Sequence, residues 1–304
     1  MQRIVFLLSY PFIWILSKLP LGVLHIISDC IYLLLFYFIG YRKKVVLDNL
    51  KLTFPNKKIN ELKKIRRTSY RHFVDIFIET IKAFGISEKE INERYKYINK
   101  EIFRDIEALN KSVILIGSHY ANWEWLINLQ NMTSIQCIGA YKQLSNPYFN
   151  KLIKKNRSRF GFKMVPTSKT IKKLLENKKK NIISLYGLLS DQSPQLHKTH
   201  YWGPFFNIVV PIHTGAEMLA KKHDFCVIYM NVEKIKRSRY EIEFEILSEN
   251  PSKTPDYQIT DAFLERTEKQ IKKNPEYYFW THNRFKHKDK APLKSSKKVK
   301  IGNN

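Results

Sequence analysis

The sequence predicts an α/β fold with a mostly parallel central sheet flanked by helices, preceded by an apolar helical membrane anchor. Two observations carry that prediction. From about residue 111, short apolar runs alternate with amphipathic stretches, the order that builds parallel sheets from strand–helix–strand units. Ahead of them, residues 4–41 are strongly apolar and are followed at once by Arg42, Lys43 and Lys44. The composition agrees: 304 residues, 44% hydrophobic and 26% charged, exclude wholesale disorder. The outlier is a net charge of +26, which implies an anionic partner.

The anchor comes first. A bilayer span needs about 20 mostly apolar residues, and residues 21–41 are long enough, although His25 and Asp29 sit among them. A cleavable signal fits poorly, because the apolar stretch is too long and no small-residue cleavage site ends it. The basic cluster that follows keeps the downstream chain on the cytoplasmic side. Pro20 divides the anchor into two helical segments, which span once or lie shallow; a hairpin of buried core helices is the alternative. Residues 57–84 then read as a helix, with Leu62, Ile65, Tyr70, Phe73, Phe77 and Ile81 spaced along an apolar face and basic residues between them. Such a helix suits anionic headgroups. The predicted organisation is therefore a membrane anchor over 1–41, a basic, helical, membrane-proximal segment over 42–110, an α/β domain over 111–286 and a disordered basic tail over 287–304.

Within the α/β domain, residues 113–116 form a strand ending in Gly117, and 123–129 a helix. Strands follow at 135–141, 163–165, 181–188 and 225–232, and an alternating outer strand at 240–246. Helices are predicted at 147–160, 170–177, 214–222 and 256–273. Ligands of open α/β sheets gather beyond the carboxyl ends of the strands. The first strong strand ends there in Gly117-Ser-His-Tyr-Ala-Asn-Trp-Glu124. His119 stands at the strand exit as a general base, and a helical turn can bring Glu124 back onto the imidazole to orient it. The N-terminus of the same helix offers N–H groups to a developing oxyanion. No Ser or Cys occupies a G-x-S-x-G setting, so the nucleophile would be a substrate hydroxyl. The three cysteines, Cys30, Cys137 and Cys226, form no CxxC pair, and no metal site is expected. Alone, a His-x4-Glu spacing arises often by chance and fits a structural histidine as well.

The segment Gly117–Glu124 also resembles the His-x4-Asp/Glu motif of glycerolipid acyltransferases. Further segments narrow the resemblance to the bacterial lipid A biosynthesis acyltransferases of the lauroyl/myristoyl type. They are Asp48-Asn-Leu-Lys-Leu-Thr-Phe-Pro55, the block from Tyr141-Lys142 through Asn146-Pro-Tyr to Arg157-Ser-Arg159-Phe-Gly161, the pair Asp191-Gln192, and Trp280-Thr-His-Asn-Arg-Phe-Lys286. The resemblance runs over about residues 19–286, with the motifs in order. It implies a glycerolipid acyltransferase-like fold and an enzyme that moves a fatty acyl chain to a hydroxyl of a lipid A precursor. The donor would be acyl carrier protein or acyl-CoA, a co-substrate, with no bound cofactor. Carried onto this sequence, His119 and Glu124 are the catalytic pair, and Asn122, Trp123, Lys142, Arg157, Arg159 and Asp191 are substrate-binding. Three positions depart from the family pattern: Lys142 where many members have Arg, Ser193 in place of a second acidic residue, and Asn207 where Gly often follows the Phe pair.

Under this resemblance the basic charge steers an acidic acyl carrier protein and the anionic lipids of the inner membrane, with the catalytic domain on its cytoplasmic face. No nucleic-acid partner is expected, since no recognition helix, RNA-binding sheet motif or zinc finger is present. Two alternatives remain open. One keeps the chemistry but acylates a phospholipid or amino-lipid; the other is a non-catalytic membrane scaffold in which His119 is dispensable.

Overall fold

The computed structural model describes residues 1–292. Helix α1 (Gln2–Lys18) and helix α2 (Leu21–Leu33) part at Leu19-Pro20, where proline disfavours the helical conformation in the residue before it. A π-helical stretch, Leu34–Ile39, extends α2 until Gly40 ends it in the left-handed conformation at φ 68°, which glycine adopts without penalty. The run Leu21–Ile39 is long and apolar enough to cross a bilayer by length and composition. One face of it is nevertheless packed, with Leu21, Leu24, Tyr32 and Phe36 buried. The other face, like most of α1, leaves large apolar side chains bare: Phe12 is 69% and Phe38 82% exposed.

Helices α3 (Lys43–Thr53) and α4 (Ile59–Lys82) follow. The Glu61 carboxylate accepts the Lys58 N–H at the start of α4, satisfying a donor that the first turn leaves unpaired. Residues 42–110 are not wholly helical. After α5 (Glu88–Arg94), strand β1 (Tyr95–Tyr97) joins the sheet, a strand too short to show a period, and α6 (Ile102–Ala108) completes the segment.

Strand β2 (Val113–Gly117) is buried at every position, as its unbroken apolar run requires of a central parallel strand. It is followed by β3 (Gln136–Tyr141), α7 (Pro147–Arg157), β4 (Lys163–Pro166), α8 (Thr170–Lys179) and β5 (Ser184–Leu189). Asn146 caps α7 by accepting from the N–H groups of Tyr148 and Phe149, with Pro147 in the first helical position, where its missing donor costs nothing. A hairpin the sequence analysis did not anticipate, β6 (Tyr201–Phe205) and β7 (Ile208–Ile212), turns on Phe206-Asn207. Both turn residues have positive φ, 51° and 60°, as a two-residue hairpin turn of this hand demands. Asn207 is a residue that tolerates this conformation, which accounts for its standing where Gly is usual. Helix α9 (Gly215–His223), strands β8 (Cys226–Lys236) and β9 (Arg239–Ser248), and helix α10 (Gln258–Lys273) end the domain.

Among the described residues the main sheet has seven strands in the order β1-β9-β8-β2-β5-β3-β4. Every pairing is parallel except β8 with β9. Strand β9 is not the outer strand, because β1 pairs along its far side. The β8–β9 turn carries Arg237 out to the N-terminal helices, where its guanidinium binds Asp29 of α2 and Asp75 of α4. Asp29, the residue that made a bilayer span costly on sequence grounds, is thus ion-paired to the α/β domain. The tail predicted for 287–304 begins with a 3₁₀ turn at Lys288–Lys290, and residues 293–304 lie outside the described region.

Candidate active site

Strand register builds the centre of the site. Strands β2 and β5 are parallel neighbours, with Gly117 opposite Leu189. Two residues further along each strand stand His119 and Asp191, which therefore face each other across the carboxyl edge. The Asp191 carboxylate is 1% exposed, and its Oδ1 accepts from the His119 ring Nδ1 at 2.7 Å and from the His119 backbone N–H at 3.0 Å. Burial pushes the Asp191 pKa up. The charge of His119 and the hydrogen bonds from its ring and backbone outweigh burial and hold the carboxyl below its ordinary value. A carboxylate only accepts, so Nδ1 carries the proton and Nε2 is the ring nitrogen left with a free lone pair. Among the described residues Nε2 has no hydrogen-bond partner. Trp123 and Phe279 flank the ring, with centroids 5.1 and 6.0 Å away.

Glu124 does not orient the imidazole. Its carboxylate is gripped by Arg157, whose Nε reaches Oε2 at 3.0 Å and whose Nη2 reaches Oε1 at 2.6 Å and Oε2 at 2.8 Å. The local reason is Asn122. Its Oδ1 accepts from the backbone N–H groups of Glu124 and Trp125, starting a 3₁₀ helix, Glu124–Met132, that carries the Glu124 side chain toward α7. Those two N–H groups are thereby spent, so this helix start offers neither of them to an oxyanion. Asn122 itself is 0% exposed and gives its amide to Glu79. It holds the loop from within the protein rather than meeting a ligand.

Of the other residues singled out by sequence, Trp123, Lys142 and Arg157 line one cavity together with His119 and Glu124. Arg159 points elsewhere, donating to the carbonyls of Ala83 and Ile86 at the end of α4. The cavity, about 290 Å³, opens at the carboxyl ends of β2, β3 and β5. Its polar groups, His119, Glu124, Lys142 and Arg157, stand at or beyond those strand ends, and its remaining walls are mainly apolar, among them Leu115, Leu126, Ile127, Phe162, Met164 and Met230. A mainly apolar space with a few polar groups at one end suits a ligand with a reactive head and a hydrocarbon tail.

The bacterial lipid A biosynthesis acyltransferase family model matches residues 1–287. The chain belongs to that family. It is an acyltransferase, and its chemistry falls within lipid A synthesis. Among its relatives is the lipid A biosynthesis lauroyltransferase of Escherichia coli (strain K12), 25% identical over 286 residues that cover 90% of this chain and 89% of that protein. The lipid A biosynthesis palmitoleoyltransferase of the same organism is 21% identical over 277 residues, covering 90% and 88%. A Shigella flexneri protein described as a lipid A biosynthesis acyltransferase aligns to the same extent.

In this acyltransferase the two segments furthest apart in sequence meet behind the site. Asn49 of α3 donates to the carbonyls of Trp280 and His282, and Phe54 packs edge-on against Trp280. The C-terminal segment then runs beside the His119 loop, with Phe279 N–H donating to the His119 carbonyl and Ala121 N–H to that of Tyr277. His282 Nε2 accepts the Ser193 N–H, two residues beyond Asp191. Arg284, 1% exposed, donates to the Pro211 carbonyl and lies over the Phe205 ring. These supports were legible only as matching segments. Their pairing needs contacts across some 90 to 230 residues of sequence, which no local spacing encodes.

Proposed function

We propose that this chain is a membrane-associated O-acyltransferase that moves a fatty acyl chain from acyl carrier protein, or from acyl-CoA, to a hydroxyl of a lipid A precursor. The observation that carries the reading is the His119 imidazole, fixed at Nδ1 by buried Asp191 and bordering an apolar cavity. Nε2 takes the proton of the acceptor hydroxyl as its oxygen attacks the thioester carbonyl. The tetrahedral oxyanion then collapses, the carbon–sulfur bond breaks, and the imidazolium returns its proton to the leaving thiolate. The products are one ester and one thiol. Asp191 stabilises the imidazolium in between, the role that the sequence spacing assigned to Glu124.

Arg157 has its Nε and Nη2 engaged by Glu124, which fixes the plane of the guanidinium. Its remaining donor edge, with Lys142, supplies positive charge to the cavity mouth, suited to phosphate groups on donor or acceptor. The bare apolar faces of α1 and α2 enter the membrane interface, while the Asp29–Arg237 contact keeps α2 against the domain. The net charge of +26 favours both an acidic carrier protein and an anionic lipid surface.

Lipid mass spectrometry of cells with and without the gene tests this reading. Loss of one fatty acyl group from lipid A is expected, restored by the native chain and not by His119→Ala at equal membrane abundance. A loss that falls on phospholipid instead overturns the acceptor, and full restoration by His119→Ala overturns the mechanism.

A further inference from the structure

Strand register also shows how deep the cavity runs. Leu115 of β2, Gly187 of β5, Gly139 of β3 and Met164 of β4 form one row across the sheet, and all four line the cavity. Gly117 and Leu189, two residues nearer the carboxyl edge, line it at the level of the strand exits. Two residues the other way, Val113, Leu185 and Cys137 are each 0% exposed and lie outside the lining. The cavity thus descends along the strands from the catalytic loop and ends at the glycine row, about 6–7 Å below the Gly117 level at the usual rise per strand residue.

Glycine inside a strand weakens it, so each one asks for a reason. For two of the three the reason is neighbouring protein. A Cβ on Gly139 would lie 2.6 Å from Phe162 Cε1, and one on Gly117 would lie 3.0 Å from Met230 Cε. Gly187 differs. The atoms nearest to a Cβ there are the Ile138 carbonyl oxygen at 3.9 Å and Phe162 Cζ at 4.0 Å, ordinary contacts that leave room for a methyl group. Its φ also lies outside the region that L side chains avoid. Among the described residues no neighbour requires glycine at this position.

We propose that Gly187 sets the length of the acyl chain the enzyme accepts: the chain end packs over its bare backbone, with the Phe162 ring as the adjoining wall. The proposal rests on the acyl-transfer reading and deepens it. A saturated hydrocarbon tail needs no hydrogen bonds, and the residues of the Gly187 row that line the cavity beside it, Leu115, Gly139 and Met164, carry no polar side chain. With the thioester carbonyl beside His119, chain length is read by where the floor stops the last carbons. A single methyl added at the floor removes the space of about one methylene, and such a difference in an apolar pocket discriminates about 10- to 200-fold between neighbouring substrates.

The test uses the full-length chain in detergent with a lipid A precursor and a series of saturated acyl thioesters differing by two carbons. For the native enzyme, kcat/KM against chain length gives the optimum. Gly187→Ala is expected to move the optimum to a shorter chain, changing the ratio between the native optimum and the next shorter donor by about tenfold or more. Phe162→Leu, which trades a ring for a smaller side chain, is expected to move it toward longer chains. A Gly187→Ala enzyme with the native profile, or with equal losses at every length, overturns the proposal. Should Gly187→Ala fail to fold, an unchanged profile in Phe162→Leu overturns it as well. The native enzyme is measured first: no transfer from any donor overturns the acyl-transfer reading itself, a failure distinct from an active enzyme whose length preference ignores position 187.

Discussion

Asp191 and Glu79 are both buried carboxylates, each 1% exposed, yet their surroundings drive them in opposite directions. Burial pushes both up. At Asp191 the His119 ring and backbone N–H reverse that push, and the carboxyl ends below its ordinary value. At Glu79, Lys234 and the hydroxyls of Ser238 and Tyr240 oppose burial without overcoming it, and the nearby Asp75 charge adds to it, so the carboxyl stays raised. The first carboxylate faces the His119 ring, which becomes cationic in the proposed reaction. The second faces the neutral donors of Asn122, Ser238 and Tyr240, and ties α4 to the His119 loop and to the β8–β9 ribbon. In the reading proposed above one buried acid serves chemistry and the other serves assembly, and the partner rather than the burial makes the difference.

The strongest way to break that contrast is Asp191→Asn. An amide can present its N–H to Nδ1 and so favour the wrong tautomer, and it cannot balance an imidazolium. A loss of about 10²–10⁴ in kcat is expected, with KM little changed and the melting temperature near native. A variant that instead unfolds, or that raises KM alone, would place Asp191 with Glu79 as a structural acid.

The next effect belongs to the assembly side. Arg237→Ala leaves Asp75, whose side chain is 3% exposed, with Lys234 at 3.7 Å as its one cationic partner among the described residues. Stranding a buried charge is destabilising, here about 2–3 kcal/mol because the arginine is itself partly exposed. In thermal unfolding that amounts to a fall of about 4–8 °C in a protein of this size, with kcat of the folded enzyme close to native. Adding Asp75→Asn should recover part of the loss. No recovery would show that the arginine acts through packing and not through charge.

How much of this was legible in the sequence follows from the same contrast. Val113–Gly117 announced a buried parallel strand because an unbroken apolar run has few other uses, and His119 was marked by its place just beyond it. The alternation after residue 111 showed the strand–helix order, since most elements there are long enough to show their period. Strand β1, with three residues, is not, and the β6–β7 turn places Phe206 where Asn or Gly is the usual signal. Asp191 was visible as a motif residue, but its contact with His119 spans 72 positions and exists only because β2 and β5 are adjacent. Glu124 misled because spacing within a loop cannot foretell that Asn122 will cap the next turn and aim the carboxylate at Arg157.

A smaller effect should appear in stability against pH. Burial is the main cause that lowers His282 from 6.5 to about 4; Asp191 pulls upward, while Arg284 and Lys286 pull further down. Between those two values the unfolded chain takes up a proton that the folded chain declines, so stability falls as pH drops from about 6.5 toward 4 and loses nothing more through this group below that. The contribution is roughly 2 kcal/mol, less than the whole shift implies because the ring is partly open to solvent. Denaturant unfolding of native and His282→Gln chains measures it. Glutamine keeps an acceptor for the Ser193 N–H without titrating, so its acid-side slope should be shallower, and an identical slope would discharge His282 from this role.

The smallest expected effect decides which partner Glu124 serves. If its carboxylate holds Arg157, then Glu124→Gln and Arg157→Lys each loosen the same bidentate contact. Lysine keeps the charge but loses the fork of donors. Each should cost about tenfold in kcat/KM, expressed mainly in KM, because the guanidinium is assigned to binding at the cavity mouth and not to proton transfer. The double variant should be scarcely worse than either single, since residues in one contact are not additive. Combining Glu124→Gln with Asp191→Asn should give the opposite pattern, losses that multiply, one falling in KM and the other in kcat. A Glu124→Gln enzyme that lost kcat by a hundredfold or more, and lost little further when Asp191 was also changed, would return Glu124 to the imidazole and merge the two carboxylates into one catalytic unit.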